Sequence, residues 1–138
     1  MSDRLEITVP SDTRWLALIR RVTDEFCRQA GLDGHETHSV TLAVGEAASN
    51  IMKHSYKGDR TKELTMCCRA LQGEIEIELC DEGDPFDPEA QPVRPPEELR
   101  PGGRGVYLMR AIMDSVEYGR DGSTNCVRLK KLLKTVKN

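Results

Sequence analysis

Two polar residues in one predicted helix have the spacing and the chemistry of a catalytic pair. Glu46 and Asn50 are four residues apart, so both side chains project from the same side of that helix. A carboxylate can act as a general base, and a carboxamide oxygen is a hard ligand that suits Mg²⁺. The pair lies at the border of an apolar stripe, where it can face a pocket. A solvated helix edge is the alternative interpretation of the same spacing.

An aspartate and a glycine, Asp81 and Gly83, follow the end of a strand-like run. The carboxylate can accept a hydrogen bond from an exocyclic amine, and the glycine allows a flat ring to approach the backbone. The two residues therefore favour a site for a heterocyclic base. An ordinary Asp-Glu-Gly turn is the alternative.

A glycine-rich run, Gly102-Gly103-Arg104-Gly105, precedes the last predicted helix. Exposed backbone N–H groups and the positive end of a helix make such a loop suitable for an anion. The run lacks the G-x-x-x-x-G-K-[ST] pattern of a P-loop, and it does not directly follow a strand as a dinucleotide-binding loop should. By itself it indicates only an anion site.

The elements that must position these residues follow from the hydrophobic periodicity. Period-two alternation predicts strands, and apolar residues at helical spacing predict helices. The predicted strands are residues 4–9, 63–71, 74–80, 115–118 and 125–133, and the predicted helices are residues 12–30, 34–54 and 106–113. This order predicts an α/β (α+β) fold, a two-layer sandwich in which the helices cover one face of the sheet.

One long segment interrupts the pattern. Residues 84–101 contain six of the seven prolines, which excludes a regular helix or a central strand. Compact domains rarely keep so long a loop unless it is functional, so we interpret it as a lid over the site. A domain linker is the alternative, but the 37 residues beyond it are too few for an ordinary second domain. We therefore predict one domain over residues 1–138.

The composition excludes several classes of protein. Of the 138 residues, 38% are hydrophobic and 31% are charged, and the net charge of −3 shows no overall basic excess that would point to nucleic acid. No stretch approaches the roughly 18 apolar residues of a transmembrane helix, and the N-terminus lacks a signal-peptide pattern, so we expect a cytoplasmic protein. The five cysteines include no C-x-x-C pair, which argues against a disulfide framework or a zinc site, and we expect free thiols.

The order and spacing of the three motifs resemble the GHKL ATPase superfamily, whose N, G1 and G2 boxes surround a Bergerat-fold nucleotide site. Over essentially the whole chain, the sequence looks most like the anti-sigma factor serine/threonine kinases of the stress-response and sporulation type. The matching stretches are Glu46-Ala-Ala-Ser-Asn50 with His54-Ser-Tyr56, Asp81-Glu-Gly-Asp-Pro-Phe86, and Gly103-Arg-Gly-Val-Tyr-Leu-Met109 with Met113-Asp114. The resemblance implies a mixed, mostly antiparallel sheet covered on one face by three helices, with a Pro-rich lid.

The resemblance also implies ATP or ADP and Mg²⁺ as cofactors and assigns residues to them. Glu46 would be the general base for a serine hydroxyl, and Asn50 would hold Mg²⁺. Asp81 would bind the adenine amine, with Gly83 against the ring. The other implied cofactor-binding residues are Lys53, His54, Arg100, Gly102, Gly103, Arg104, Gly105, Val106 and Thr124.

Two of these assignments leave alternatives open. Some members of the family place a lid arginine directly before the glycines, where this chain has Pro101, so the phosphate-binding cation could be Lys53, Arg100 or Arg104. Thr124 matches a threonine near the adenine, but it could equally be a simple turn residue.

Phosphoryl transfer depends mainly on positioning and charge neutralisation, which such a site supplies. The resemblance implies an ATP-dependent protein serine/threonine kinase of a partner-switching system. Such a protein sequesters a sigma factor or another regulated protein, and phosphorylates a small anti-anti-sigma protein of the STAS type. We also expect a homodimer, without direct binding to nucleic acid or membrane. The alternative is a nucleotide-gated binding protein that sequesters a partner but transfers no phosphate.

Overall fold

The computed structural model describes residues 4–85 and 104–133, in which five strands form one sheet. The order of strands is β1-β2-β3-β5-β4, and all four pairings between these strands are antiparallel. The predicted two-layer α/β fold is therefore confirmed. The strands are β1 (Arg4–Pro10), β2 (Glu63–Leu71), β3 (Glu74–Asp81), β4 (Ser115–Asp121) and β5 (Thr124–Leu132).

Three helices pack with the sheet in one hydrophobic core: α1 (Leu16–Ala30), α2 (Gly34–Asn50) and α3 (Arg104–Ile112). A 3-10 turn at Thr13–Trp15 precedes α1, so this helix begins four residues later than predicted. It ends at Gly31, whose φ of 99° is favoured by glycine. Asp33 caps α2 by accepting a hydrogen bond from the Glu36 backbone N–H at 2.8 Å. Within the described ranges, no helix has both the length and the apolar character needed to cross a membrane.

Alternation along β3 gives the sheet an apolar face toward the helices. Ile75, Ile77 and Leu79 are fully buried in the core, and the residues between them project to the opposite face. Each fully buried aliphatic side chain stabilises the fold by roughly 1.5–3 kcal/mol. Because α2 packs into the same core, its position relative to β3 is fixed, and with it the positions of Glu46 and Asn50.

Two cysteines correct the expectation of free thiols. Cys80 and Cys126 are directly paired across β3 and β5, with their Cα atoms 4.2 Å apart, and they form a disulfide. The pairing depends on strand register, which no local cysteine motif reveals. The other cysteines are free and buried, as expected: Cys27, Cys67 and Cys68. Burial raises the pKa of both Cys27 and Cys68 to about 12, so these two thiols are protonated at neutral pH.

Most of the predicted lid lies outside the described residues, which include only Asp84 and Pro85 of the segment 84–101. The lid therefore remains a prediction, as does the single domain over residues 1–138.

Candidate active site

A cleft of about 460 Å³ lies between the end of α2, the helix α3 and the neighbouring ends of β3, β4 and β5. Its volume suits one small organic ligand. Apolar residues from α2, α3 and the two last strands form much of its wall. The polar residues that line it include Asn50, Asp81, Arg120 and Asn125.

Asn50 ends α2 and lines the cleft, where the helix continues as a π-helical turn at Ile51–Ser55. Such turns are frequent at functional sites. The Nδ2 atom of Asn50 is buried and has no hydrogen-bond partner within the described part of the chain. An unsatisfied buried donor costs about 1–3 kcal/mol, so this Nδ2 atom fits a site that is completed by a ligand with a hydrogen-bond acceptor.

Glu46 lies one helical turn before Asn50 and is partly exposed. The two residues share one side of α2, as their spacing predicts. Among the described residues of α2, however, the lining of the cleft begins at Ala47 and does not include Glu46. The structure thus places Asn50 in the cleft and Glu46 immediately outside it.

Asp81 ends β3 and is only 4% exposed. Its Oδ1 atom accepts hydrogen bonds from the Gly83 backbone N–H at 2.8 Å and from Asn125 Nδ2 at 3.0 Å. Burial raises the pKa of the Asp81 carboxyl above its ordinary value, while these hydrogen bonds and the nearby Arg120 guanidinium oppose the rise. Asp81 is therefore a buried acceptor in the cleft wall, and its Oδ2 atom takes neither of the two bonds.

Gly83 lies against the end of the π-helical turn that follows α2. A Cβ atom at this position would overlap the carbonyl group of Ser55, so the close approach requires glycine. The Asp84 backbone N–H donates to the same carbonyl oxygen at 2.8 Å, and the Tyr56 hydroxyl accepts from the Glu82 backbone N–H at 2.8 Å. The structure thus gives Gly83 a packing role between β3 and α2, and its predicted contact with a flat ring remains a prediction.

Asn125 is not among the residues predicted from the sequence, yet it stands beside Asp81 in the pairing of β3 with β5. Besides its bond to Asp81, the Asn125 Nδ2 donates to the carbonyl oxygens of Gly83 at 3.0 Å and Asp84 at 3.1 Å. Its Oδ1 accepts a hydrogen bond from Arg120 at 2.7 Å. The Asn125 side chain thus connects β4, β5 and the loop after β3.

The predicted residue at the start of this strand, Thr124, is the neighbour of Asn125. It pairs with Asp121, and the alternation of β5 directs it to the opposite face of the sheet from Asn125. The same alternation offers a signal in the sequence, because the buried Val127 and Leu129 imply that Asn125 also faces inward.

The predicted phosphate-binding residues are only partly described. Lys53 and His54 are exposed in the π-helical turn. Residues 104–106 form the first turn of α3. Arg100 and residues 102–103 lie outside the described residues. The choice among the three candidate cations therefore stays open.

Comparison with curated proteins finds relatives named serine-protein kinase RsbW. The chain is 29% identical over 123 residues to the protein of Bacillus subtilis, covering 83% of this chain and 77% of the relative. It is 28% identical over 138 residues to the protein of Listeria innocua, covering 94% of this chain and 88% of that relative. For a Bacillus licheniformis protein of the same name the identity is 30% over 124 residues, covering 83% and 77%.

Comparison with solved structures supports the fold. The RsbU and RsbW domains of a Mycobacterium tuberculosis protein match with a TM-score of 0.69 and 15% identity, over 94% of this chain and 32% of that longer one. The SiaB–SiaC complex of Pseudomonas aeruginosa matches with a TM-score of 0.63 and 16% identity, over 94% of this chain and 89% of the matched one.

A family model described as a histidine kinase-like ATPase domain matches residues 9–131. This stretch contains the cleft, Asn50 and Asp81, and it agrees with the resemblance to GHKL ATPases. The chain therefore belongs to the family of histidine kinase-like ATPase domains.

Proposed function

We propose that this chain is an anti-sigma factor serine-protein kinase that binds Mg·ATP in the cleft between α2, α3 and β3. The observation that carries the proposal is the pair of polar side chains that line this cleft. Asp81 presents a buried acceptor, and Asn50 presents a carboxamide whose buried Nδ2 atom has no partner among the described residues. Both occur in a chain whose family is an ATPase domain and whose relatives are named serine-protein kinases.

Asp81 supplies the base recognition in this proposal. Its Oδ1 atom is occupied by Gly83 and Asn125, so Oδ2 is the oxygen that accepts from the exocyclic amine of adenine. The ring would occupy the cleft, whose walls include the apolar residues Ile51, Met109 and Val127. A buried acceptor of this kind disfavours a base that presents a carbonyl oxygen at the same position, because two acceptors would face each other.

Asn50 and Glu46 supply the chemistry at the other end of the nucleotide. The Asn50 carboxamide offers an oxygen to Mg²⁺, and the metal neutralises phosphate charge when it is bound. Glu46, one turn earlier, receives the proton of a serine hydroxyl that approaches from outside the cleft. Its place at the border suits a group that acts on a protein substrate rather than on the nucleotide. The glycine-rich run before α3 contacts the phosphates, with Lys53, Arg100 or Arg104 as the cation.

The proposed partners follow from the resemblance and from the relatives. The serine substrate is a small anti-anti-sigma protein of the STAS type, and the sequestered protein is a sigma factor or another regulated protein. The chain acts as a homodimer in the cytoplasm, without direct contact to nucleic acid or membrane. The structural match to SiaB in its complex with SiaC is compatible with a protein that binds a partner.

A second function, nucleotide-gated binding without phosphoryl transfer, is favoured by one observation. Glu46 does not line the cleft among the described residues, and a binding protein would need Asn50 and Asp81 but no general base. The two functions differ in whether phosphate leaves the nucleotide.

The test is transfer of phosphate from γ-labelled ATP, with Mg²⁺, into a soluble extract of the source organism. We expect wild-type protein to label a small protein on serine, and Glu46→Gln to bind ATP normally but to lose transfer by about a hundredfold or more. Glu25→Gln is the matched control, because Glu25 is an exposed carboxylate on α1. Equal labelling by wild type and Glu46→Gln would remove Glu46 as the base. ATP binding without any labelled band would favour the second function.

A further inference from the structure

The hydrogen bonds around Asp81 continue to two residues that have no assigned part in the proposed activity. Arg120, on the edge strand β4, donates to Asn125 Oδ1 at 2.7 Å and to the Gly83 carbonyl oxygen at 3.3 Å. Asn125, which is 8% exposed, donates in turn to Asp81. The three side chains form a line from the edge of the sheet to the buried acceptor in the cleft.

This line has only one chemically consistent direction. A guanidinium group has no acceptor, so the atom of Asn125 that faces Arg120 must be its oxygen. The Asn125 nitrogen is therefore directed toward Asp81 and the carbonyl groups of Gly83 and Asp84, all of which accept. Arg120 thus reinforces the amide orientation that these three acceptors also favour.

We propose that Asn125, oriented by Arg120, is a positioning residue that keeps Asp81 ionised and directs its Oδ2 atom toward the adenine base. The inference rests on the proposed nucleotide-binding role of Asp81. According to this proposal, the hydrogen bonds of the line Arg120–Asn125–Asp81 increase the affinity of the cleft for an adenine nucleotide. It does not require Asn125 or Arg120 to touch the ligand.

The substitution Asn125→Asp distinguishes the positioning role from a packing role. Asp and Asn have nearly the same shape, so the substitution changes the hydrogen bonding at this position but hardly changes the packing. Asn125→Asp would place an acceptor against Asp81 and two carbonyl oxygens. Two desolvated carboxylates at hydrogen-bond distance hold one proton between them, and the pair titrates at a higher pH than a single carboxyl. With that proton present, one acid donates to the other and the original arrangement is largely restored.

The expected signature is therefore a pH profile. The measurement is calorimetric titration of ADP without Mg²⁺ into the wild type and Asn125→Asp, from about pH 8 to about pH 5. We expect Asn125→Asp to bind ADP on the order of tenfold to a hundredfold more weakly at the upper end, with the ratio of its Kd to that of the wild type falling toward one at the lower end. Taking the ratio at each pH removes the titration of ADP, which is common to both proteins, and the wild-type Kd at each pH gives the titration of Asp81 alone. The charged and titratable groups around the pair, common to both proteins, are Arg120 of β4, Tyr118 of β4, Arg110 of α3, Tyr56 after the π-helical turn, and Glu82 and Asp84 after β3.

Arg120 provides the second arm of the test. Arg120→Met removes the donor that orients Asn125 and should weaken ADP binding by roughly tenfold, while Arg120→Lys, which keeps a donor, should recover part of that loss. Arg69→Met on β2 is the matched control, because Arg69 is an exposed arginine away from the cleft. Its ADP affinity should equal that of the wild type.

The outcomes separate this inference from the proposed function. No ADP binding by folded wild-type protein would overturn both. Binding by the wild type, with a Kd ratio for Asn125→Asp that stays constant across the pH range, would overturn the positioning role alone and leave the nucleotide site in place. An ADP affinity of Arg120→Met equal to that of the wild type would remove Arg120 from the line.

Discussion

At the scale of single residues, the ionisation of Asp81 links nucleotide binding to stability. Burial raises the folded-state pKa of this carboxyl above the ordinary value of 3.8. The unfolded chain therefore loses the proton at lower pH than the folded chain. As pH rises from 3.8 through the raised pKa, Asp81 lowers the free energy of unfolding, and that cost is fully present above the raised pKa.

Asp81→Asn should therefore separate binding from stability. An amide oxygen can still accept from Gly83 and Asn125, so we expect the variant to be at least as stable as the wild type at neutral pH. Its ADP affinity should fall by about tenfold or more, because an amide nitrogen can then face the adenine amine. Urea unfolding at several pH values and ADP titration measure the two effects, with Asp121→Asn, at an exposed position that ends β4, as control. A variant that unfolds at lower urea yet binds ADP normally would contradict the assignment of Asp81.

Site residues that belong to a short sequence motif could be predicted. One residue, Asn125, could not, because its place in the site depends on the pairing between two strands. Asn50 and Asp81 lie in motifs whose spacing suggests their chemistry, and the structure places both in the cleft. Asn125 has no motif, and its contact with Asp81 arises from the register of β3 against β5. Thr124, one residue earlier, matches the place of a threonine near the adenine in the resembling family, although strand alternation directs it to the other face.

At the scale of elements, the junction between the end of β3 and the π-helical turn after α2 holds the two sides of the cleft together. Gly83 packs against the Ser55 carbonyl group, and the Asp84 backbone N–H bonds to the same oxygen. Because α2 carries Asn50 and β3 carries Asp81, a shift at this junction changes the distance between the two groups that we propose hold the nucleotide.

Gly83→Ala should open this junction. The added Cβ meets backbone atoms rather than the flexible end of a side chain, so the strand or the helix must move. We expect a loss of roughly 1–3 kcal/mol in the free energy of unfolding and weaker ADP binding. Gly34→Ala is the control, because a Cβ at Gly34 meets no atom within 4 Å. If urea unfolding and ADP titration show the same values for both variants, the junction does not position the cleft.

The boundaries of most elements could be predicted because periodicity is a local property. Four of the five strands agree with the structure within one residue, whereas β4 continues to Asp121, beyond the predicted end at residue 118. Gly119 and two charged residues conceal this extension, which is tolerated because β4 is an edge strand. The π-helical turn after Asn50 was also beyond prediction, since its sequence continues the helical pattern of α2.

At the scale of the whole molecule, the Cys80–Cys126 disulfide joins two strands that are distant in sequence. The cysteines are 46 positions apart, and the connection between them includes α3 and β4. The disulfide stands one pair along the ladder from Asp81 and Asn125. In the unfolded chain the disulfide therefore closes a loop, and the residues of this loop include several that line the cleft in the folded protein.

Reduction of this disulfide should lower stability without changing the fold, because the β3–β5 ladder and the buried core hold the same register in the reduced protein. For a closed loop of this length, the chain-entropy argument gives an upper limit of about 4 kcal/mol. We expect the urea midpoint of the wild type to fall on addition of a reductant, while a Cys80→Ala/Cys126→Ala protein shows no response to it. Thiol titration under denaturing conditions should find two more thiols after reduction than before. Equal midpoints with and without reductant, in protein whose thiols confirm the change, would show that the stabilisation comes from the ladder and the core instead.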